Sequence, residues 1–251
     1  MKVYSVYFSP TNHTKEIVNY VAKEFGNPIE IDLTKEQTNS LIFSQDDVVV
    51  LGVPSYGGRV PAIALERMKK FYGTNTHTVC ICSYGNRAYE DTLKELSDTL
   101  RSQGFICMAA IAAVAEHSIM HQYATGRPNA EDYKELKSGV KEILKKLQSK
   151  DRDVEVQVPG KKPYREYKGI PLKPKTSKKC TGCMTCANLC PVGAISFEDP
   201  KKTDTKLCIS CMRCLQVCPQ KARHVNSMML KVASKKVEAA CKEAKNIELF
   251  I

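Results

Sequence analysis

Eight of the twelve cysteines fall between Cys180 and Cys218, in two copies of the pattern C-x2-C-x2-C-x3-C-P. The first copy is Cys180, Cys183, Cys186 and Cys190, followed by Pro191; the second is Cys208, Cys211, Cys214 and Cys218, followed by Pro219. Thiolates are soft ligands suited to iron and sulfide. Three cysteines at x2 spacing wrap one corner of a cube and present sulfurs to three irons, so each fourth thiolate must arrive from elsewhere. The proline after each last cysteine turns the chain and removes an N–H that would need a partner. Zinc is the rival chemistry. A zinc ribbon uses two C-x2-C pairs, four thiolates in all, a count that does not suit two three-plus-one groups.

The copies align beyond their cysteines and prolines, Met184 with Met212 and Ala194 with Ala222, which implies pseudo-two-fold symmetry. Residues 178–225 resemble the bacterial two-cluster ferredoxins, in which the fourth thiolate comes from the other motif. The resemblance assigns Cys180, Cys183, Cys186 and Cys218 to one [4Fe–4S] cluster, and Cys208, Cys211, Cys214 and Cys190 to the other. The sequence departs at Gln220-Lys221, where a Val/Gly-type pair is common. Met184 and Met212 are expected to pack near the clusters. The scattered Cys80, Cys82, Cys107 and Cys241 read as small core residues.

The first 150 residues alternate strand and helix. Strands are expected at 3–9, 29–33, 47–54, 78–83 and 106–115, and helices at 14–25, 61–72, 89–103 and 129–148. The unbroken apolar run Val48 to Val53 suits a strand covered on both faces of a parallel sheet. The expected fold is α/β: a five-stranded doubly wound parallel sheet joined to a small α+β two-cluster domain. Residues 151–179 form a linker, with Pro159, Pro163, Pro171 and Pro174 among nine Lys and Arg. A plain tether and a docked strap are both open readings of it. Residues 180–227 make the cluster domain. Residues 228–251 make a C-terminal helix and tail, with Leu230, Ala233, Val237, Ala240 and Cys241 on one helix side.

A doubly wound sheet binds ligands at the carboxyl ends of its strands. After the first strand, Ser9, Pro10, Thr11, Asn12, His13 and Thr14 offer hydroxyls beside a helix N-terminus, a candidate phosphate cradle. An N-cap cluster is the plainer reading of this loop. Pro54, Ser55, Tyr56, Gly57 and Gly58 follow the third strand, with an aromatic ring and two glycines that let backbone approach a ligand. Ser83, Tyr84, Gly85, Asn86 and Tyr89 follow the fourth, a second aromatic–glycine turn at the same edge. This half resembles the flavodoxins, which implies strand order 2-1-3-4-5 and FMN held by these three loops. Glu116-His117-Ser118 reads equally as a flavin rim or a surface turn. Lys141, Lys145, Lys146 and Lys150 read as a solvated helix face.

Both halves together resemble the EFR family of flavodoxin–ferredoxin fusion proteins of anaerobic bacteria. Ser55-Tyr-Gly-Gly-Arg-Val-Pro61, Tyr84-Gly-Asn-Arg-Ala-Tyr-Glu-Asp91, Glu116-His-Ser118, Gly126-Arg-Pro128 and Pro163-Tyr-Arg-Glu-Tyr167 carry that match.

Charge is uneven. Residues 151–251 hold 20 Lys and Arg against 10 Asp and Glu, whereas residues 1–150 are nearly balanced, 18 against 17. Two four-thiolate clusters at −2 each cancel about four of those positive charges. The remainder suits an acidic redox partner, and no nucleic-acid motif accompanies it. Met1 to Val6 reads as strand rather than a secretory signal, and no apolar run reaches membrane-spanning length, so the cytoplasm is the expected compartment. The expected function is electron relay between FMN, two [4Fe–4S] clusters and a partner. An FMN-dependent oxidoreductase fed by NAD(P)H or ferredoxin is the alternative, although no G-x-G-x-x-G fingerprint is present. No nucleophile–base or paired-carboxylate set stands out as catalytic.

Overall fold

The computed structural model describes residues 1–36 and 39–251. In chain order the N-terminal elements are β1 (Val3–Tyr7), α1 (His13–Lys23), β2 (Pro28–Asp32), β3 (Leu41–Phe43), β4 (Val48–Pro54), α2 (Ala62–Met68), β5 (Phe71–Gly73), β6 (Thr76–Tyr84), α3 (Thr92–Ser102), β7 (Phe105–Val114) and α4 (Ala130–Leu147). Then come β8 (Lys175–Thr176), α5 (Thr185–Asn188), α6 (Arg213–Gln216), β9 (Arg223–His224), α7 (Ser227–Cys241) and β10 (Glu248–Phe250).

The main sheet runs β10-β7-β6-β4-β1-β2. Five strands are parallel, and β10 pairs antiparallel with β7, Leu249 opposite Ile111. The expected five-stranded parallel sheet is therefore corrected to a mixed sheet of six. The added strand comes from the last residues of the chain, which were expected to be a tail. The expected helix from 61 to 72 is also shorter. It stops at Met68, and Phe71–Gly73 pairs instead with Leu41–Phe43 in a separate two-stranded sheet.

Alternation along β4 explains its unbroken apolar run. Val49, Leu51 and Val53 face one core with Leu93, Leu96 and Leu100 of α3 and Met68 of α2. Val48 and Val50 face the other, with Ile17, Val18 and Val21 of α1 and Leu136, Val140 and Ile143 of α4. Each side chain is removed from water by a helix layer, worth roughly 1.5–3 kcal/mol per large aliphatic residue. Asn129 starts α4 with a capping box, accepting from the Asp132 backbone while Asp132 accepts from its own N–H at 2.7 Å. Of the four expected solvated lysines, Lys146 instead donates to the Met108 carbonyl at 2.9 Å.

The linker is a docked strap. Lys161 and Arg165 backbone N–H groups both donate to the Asp91 carboxylate, at 3.1 and 2.8 Å, and the Tyr164 hydroxyl donates to Asp98 at 2.7 Å. Val156 is buried in the α3-side core, and its N–H donates to the Cys107 carbonyl at 2.9 Å. Among the described residues no helix is long and apolar enough to cross a membrane.

Candidate functional site

The two half-repeats share local conformation as well as spacing. Met184 and Met212 both sit in the left-handed region, φ 62° and 61°, and each starts a four-residue helix. The Ala194 N–H donates to Cys190 Sγ at 3.3 Å, and the matching Ala222 N–H donates to Cys218 Sγ at 3.2 Å. One cavity is lined by Cys180, Cys183, Cys186 and Cys218, with Met184 beside them. A second is lined by Cys190, Cys208, Cys211 and Cys214, with Met212. Each fourth cysteine thus sits with the three of the other copy. None of the twelve cysteines is joined in a disulfide. Buried Arg223 donates to Cys186 Sγ at 3.4 Å and to Thr203 at 2.8 Å.

The two cavities differ in exposure. Cys183 is exposed and its hydrogen bond with the Thr185 hydroxyl holds its thiol below the usual range, whereas its counterpart Cys211 is 8% exposed and pushed up to about 12 by burial. Two arginines fasten the second cavity to the N-terminal half. Arg67 of α2 donates to the carbonyls of Leu33 (2.7 Å) and Pro191 (2.6 Å). Arg213 of α6 donates to the Pro10 carbonyl at 3.2 Å.

At the carboxyl edge of the main sheet lie two adjoining cavities, one smaller and one larger, which share Ser55, Tyr56, Tyr84, Gly85, His117 and Ser118. Eleven of the sixteen residues expected to hold a cofactor line them. Pro10, Thr11, His13, Thr14, Pro54 and Ser83 line the smaller, Gly57 the larger, and Ser55, Tyr56, Tyr84 and Gly85 both. The other five are engaged elsewhere or do not line either cavity. Ser9 Oγ accepts from the Lys15 N–H at 2.9 Å. Asn12 is the exposed left-handed residue before α1, φ 72°. Gly58 lies against Glu90 and Arg165. The Asn86 amide donates to the carbonyls of Cys241 and Glu243 at 2.9 and 2.8 Å, and Tyr89 donates to Glu248 at 2.9 Å. Both of these hold the C-terminal segment.

Residues that the sequence reading did not place here complete the larger cavity: Tyr167, Ile170 and Leu172 of the strap, Ile209 and Ser210 of the second cysteine motif, and Val237 of α7. No local pattern marks them, because each reaches the cavity by tertiary packing. Gly57, at φ +61°, is required by the strap: a Cβ there would lie 2.2 Å from the Tyr167 ring. The Tyr84 and Ser210 hydroxyls are buried without a hydrogen-bond partner at this cavity. Buried polar groups normally have one, so these are open donors for a polar ligand.

Of the two readings of residues 116–118, a cavity rim is the one the geometry favours, since all three line the smaller cavity. His117 Nδ1 accepts from the backbone N–H groups of Ile119 and Met120, both at 3.2 Å, which leaves the ring proton on Nε2. Burial pushes its pKa down to about 4, so the ring is neutral at physiological pH. Burial also raises the Tyr56 hydroxyl well above its usual range.

Residues 179–222, which include all eight repeat cysteines, match the family described as the 4Fe-4S dicluster domain. The C-terminal part is thus a ferredoxin-like iron–sulfur domain with an electron-transfer role. None of the curated proteins matches the chain.

Proposed function

We propose that this protein relays electrons between FMN, bound at the edge of the main sheet, two [4Fe–4S] clusters and a redox partner. One observation carries the coupling. Ile209 and Ser210, which stand between Cys208 and Cys211, form part of the wall of the larger sheet-edge cavity. The second cluster cavity and the flavin cavity are therefore separated by a single loop.

Residues 1–150 are read as a flavodoxin-like part. Without the short β3 and β5, its parallel strands run 2-1-3-4-5, the doubly wound order with a ligand at the switch point. FMN fits the residues present. Thr11, His13 and Thr14 at the N-terminus of α1 suit the phosphate, and Tyr56 and Tyr84, which line both cavities, suit the ring. The unpartnered Tyr84 and Ser210 hydroxyls suit its polar edge. Residues 151–179 act as a strap, 180–227 hold the clusters, and 228–251 pack back on the N-terminal half.

For the clusters, Cys180, Cys183, Cys186 and Cys218 form one ligand set and Cys208, Cys211, Cys214 and Cys190 the other. Among the described residues, no three His, Cys, Asp or Glu side chains close on a single-ion position. Each set of four cysteines lines one cavity, which suits a cubane held by four thiolates. FMN supplies two-electron chemistry that can be delivered one electron at a time, and each cluster carries one. The chain's own contribution is placement: Arg213 fixes the second cluster cavity against the loop of Pro10 and Arg67 ties it to Leu33, and the strap and α7, which line the larger cavity, would shield a bound ring from water.

A second reading, an FMN-dependent reductase of a small organic acceptor, is favoured by the apolar wall of the larger cavity, Ile119, Met120, Ile170 and Leu172. Anaerobic purification with analysis for flavin, iron and sulfide, followed by spectroelectrochemical titration, tests the relay. One FMN and two [4Fe–4S] clusters per chain that exchange electrons are expected. Zinc in place of iron and sulfide, or clusters without flavin, defeats the scheme.

A further inference from the structure

We infer that the solvent face of the first cluster cavity, around Cys183, is the docking surface for an acidic one-electron carrier protein. This rests on the relay reading and gives it an outer terminal.

The half-repeats are alike in sequence but not in surroundings. Cys211 is covered, and its neighbours Ile209 and Ser210 face the flavin cavity, so the second cluster cavity is the inner one. Its counterpart Cys183 is exposed, so the first is the outer one. The outer cavity is lined by Thr176, Pro200 and Gln220; Lys175, Lys201 and Lys221 each adjoin one of these in the chain, and Asp199, on the other side of Pro200, lies 4.0 Å from Lys202. Lys178 and Lys179 immediately precede Cys180, and the Thr176 hydroxyl donates to the Lys201 carbonyl at 3.1 Å, which draws two of these segments together.

All five lysines are exposed, and among the described residues none has a carboxylate within ion-pairing distance. A surface that merely solvates lysines normally interleaves acids with them. Here the acid beside the cavity, Asp199, meets Lys202 only at 4.0 Å. Phe197, three residues before Pro200, is 61% exposed. Exposed aromatics serve as anchors in protein interfaces, and charges around them steer approach. The complementary partner is therefore an acidic protein. Transfer needs one electron per encounter, lost by the carrier and gained by this protein, with no bond made or broken and no proton moved.

The test follows anaerobic reduction of the holoprotein by a reduced acidic [2Fe–2S] ferredoxin as salt is raised, and again after Lys178→Glu, Lys179→Glu and Lys201→Glu together. Steering predicts a rate at least tenfold lower at high salt, and at least tenfold lower at low salt in the triple variant. Reduction by dithionite should be unchanged, showing that the clusters are intact. A control with the same charge change on α7 and its end, Lys231→Glu, Lys235→Glu and Lys242→Glu, should keep the fast rate. A salt-independent rate, an equal loss in the control, or a triple variant as fast as wild type overturns the docking surface. So does equal protection of the face by anionic phospholipid vesicles or by duplex DNA. Cluster absorption bleaching without flavin bleaching would instead sink the relay while leaving this surface in place.

Discussion

Lys221 adopts φ +48° at the position that Gly193 occupies, at φ +63°, in the first half-repeat. The turn after each Cys-Pro needs a left-handed residue, and only one copy supplies a glycine. Ser210, at φ +56°, likewise stands opposite Gly182, at φ +76°. The second copy therefore carries backbone strain that the first avoids, and a left-handed non-glycine residue costs roughly 1 kcal/mol.

Lys221→Gly should relieve that strain. Lys221 is exposed and, among the described residues, makes no side-chain hydrogen bond, so a gain of about 1 kcal/mol is expected, offset in part by unfolded-state entropy. Thermal melting of the anaerobic protein, read by loss of cluster absorption, should shift up by about 2–4 °C. Gly193→Ala should shift it down.

The proposed crossed ligand sets predict crossed phenotypes. Cys190→Ser should disturb the cluster bound by Cys208, Cys211 and Cys214, and with it electron exchange with the flavin. Cys218→Ser should disturb the outer cluster. Electron paramagnetic resonance of the reduced variants, with flavin as internal reference, reads this directly. A Cys190 variant that damages only the outer cluster would reverse the assignment.

His117 makes stability pH-dependent with a definite sign. Its folded pKa of about 4 lies below the unfolded value near 6.5, so in that window the unfolded chain binds the proton and the folded one does not. The contribution is complete above about pH 6.5 and is lost as pH falls towards 4, amounting to up to about 3 kcal/mol. Denaturation midpoints of wild type and His117→Gln between pH 7 and pH 5 should diverge at neutrality and converge in acid (about two units of pH suffice to see it). Parallel curves would show that the ring is not held neutral.

Gly57→Ala should dislodge the strap. The added methyl meets the Tyr167 ring at 2.2 Å, and the residue would also have to hold φ +61°. A loss of roughly 2 kcal/mol or more is expected from overpacking and backbone strain together. Protease cleavage within residues 151–179 should become faster, and Tyr167→Ala in the same background should restore part of the loss.

The features carried by short-range spacing were legible in the amino-acid sequence. Two C-x2-C-x2-C-x3-C-P copies define a thiolate set because a cubane accepts little else, and the run from Val48 to Val53 announces a strand covered on both faces. The loops holding Ser55, Tyr56, Tyr84 and Gly85 were placed at one sheet edge because parallel strands all end on the same side. Local pattern misplaced Asn86 and Tyr89. Both sit in an aromatic–glycine turn, yet they hold a segment more than 150 residues away.

What only the tertiary structure decided depends on such distant pairings. β10 joins the sheet because Leu249 lies opposite Ile111, a pairing that no periodicity in a three-residue strand could announce. The unequal burial of Cys183 and Cys211, identical in their motifs, follows from which half-repeat Arg67 and Arg213 pin against the first domain. Ligand chemistry is local and repeats with the sequence; solvent access and neighbours belong to the packed chain, and they separate an inner site from an outer one.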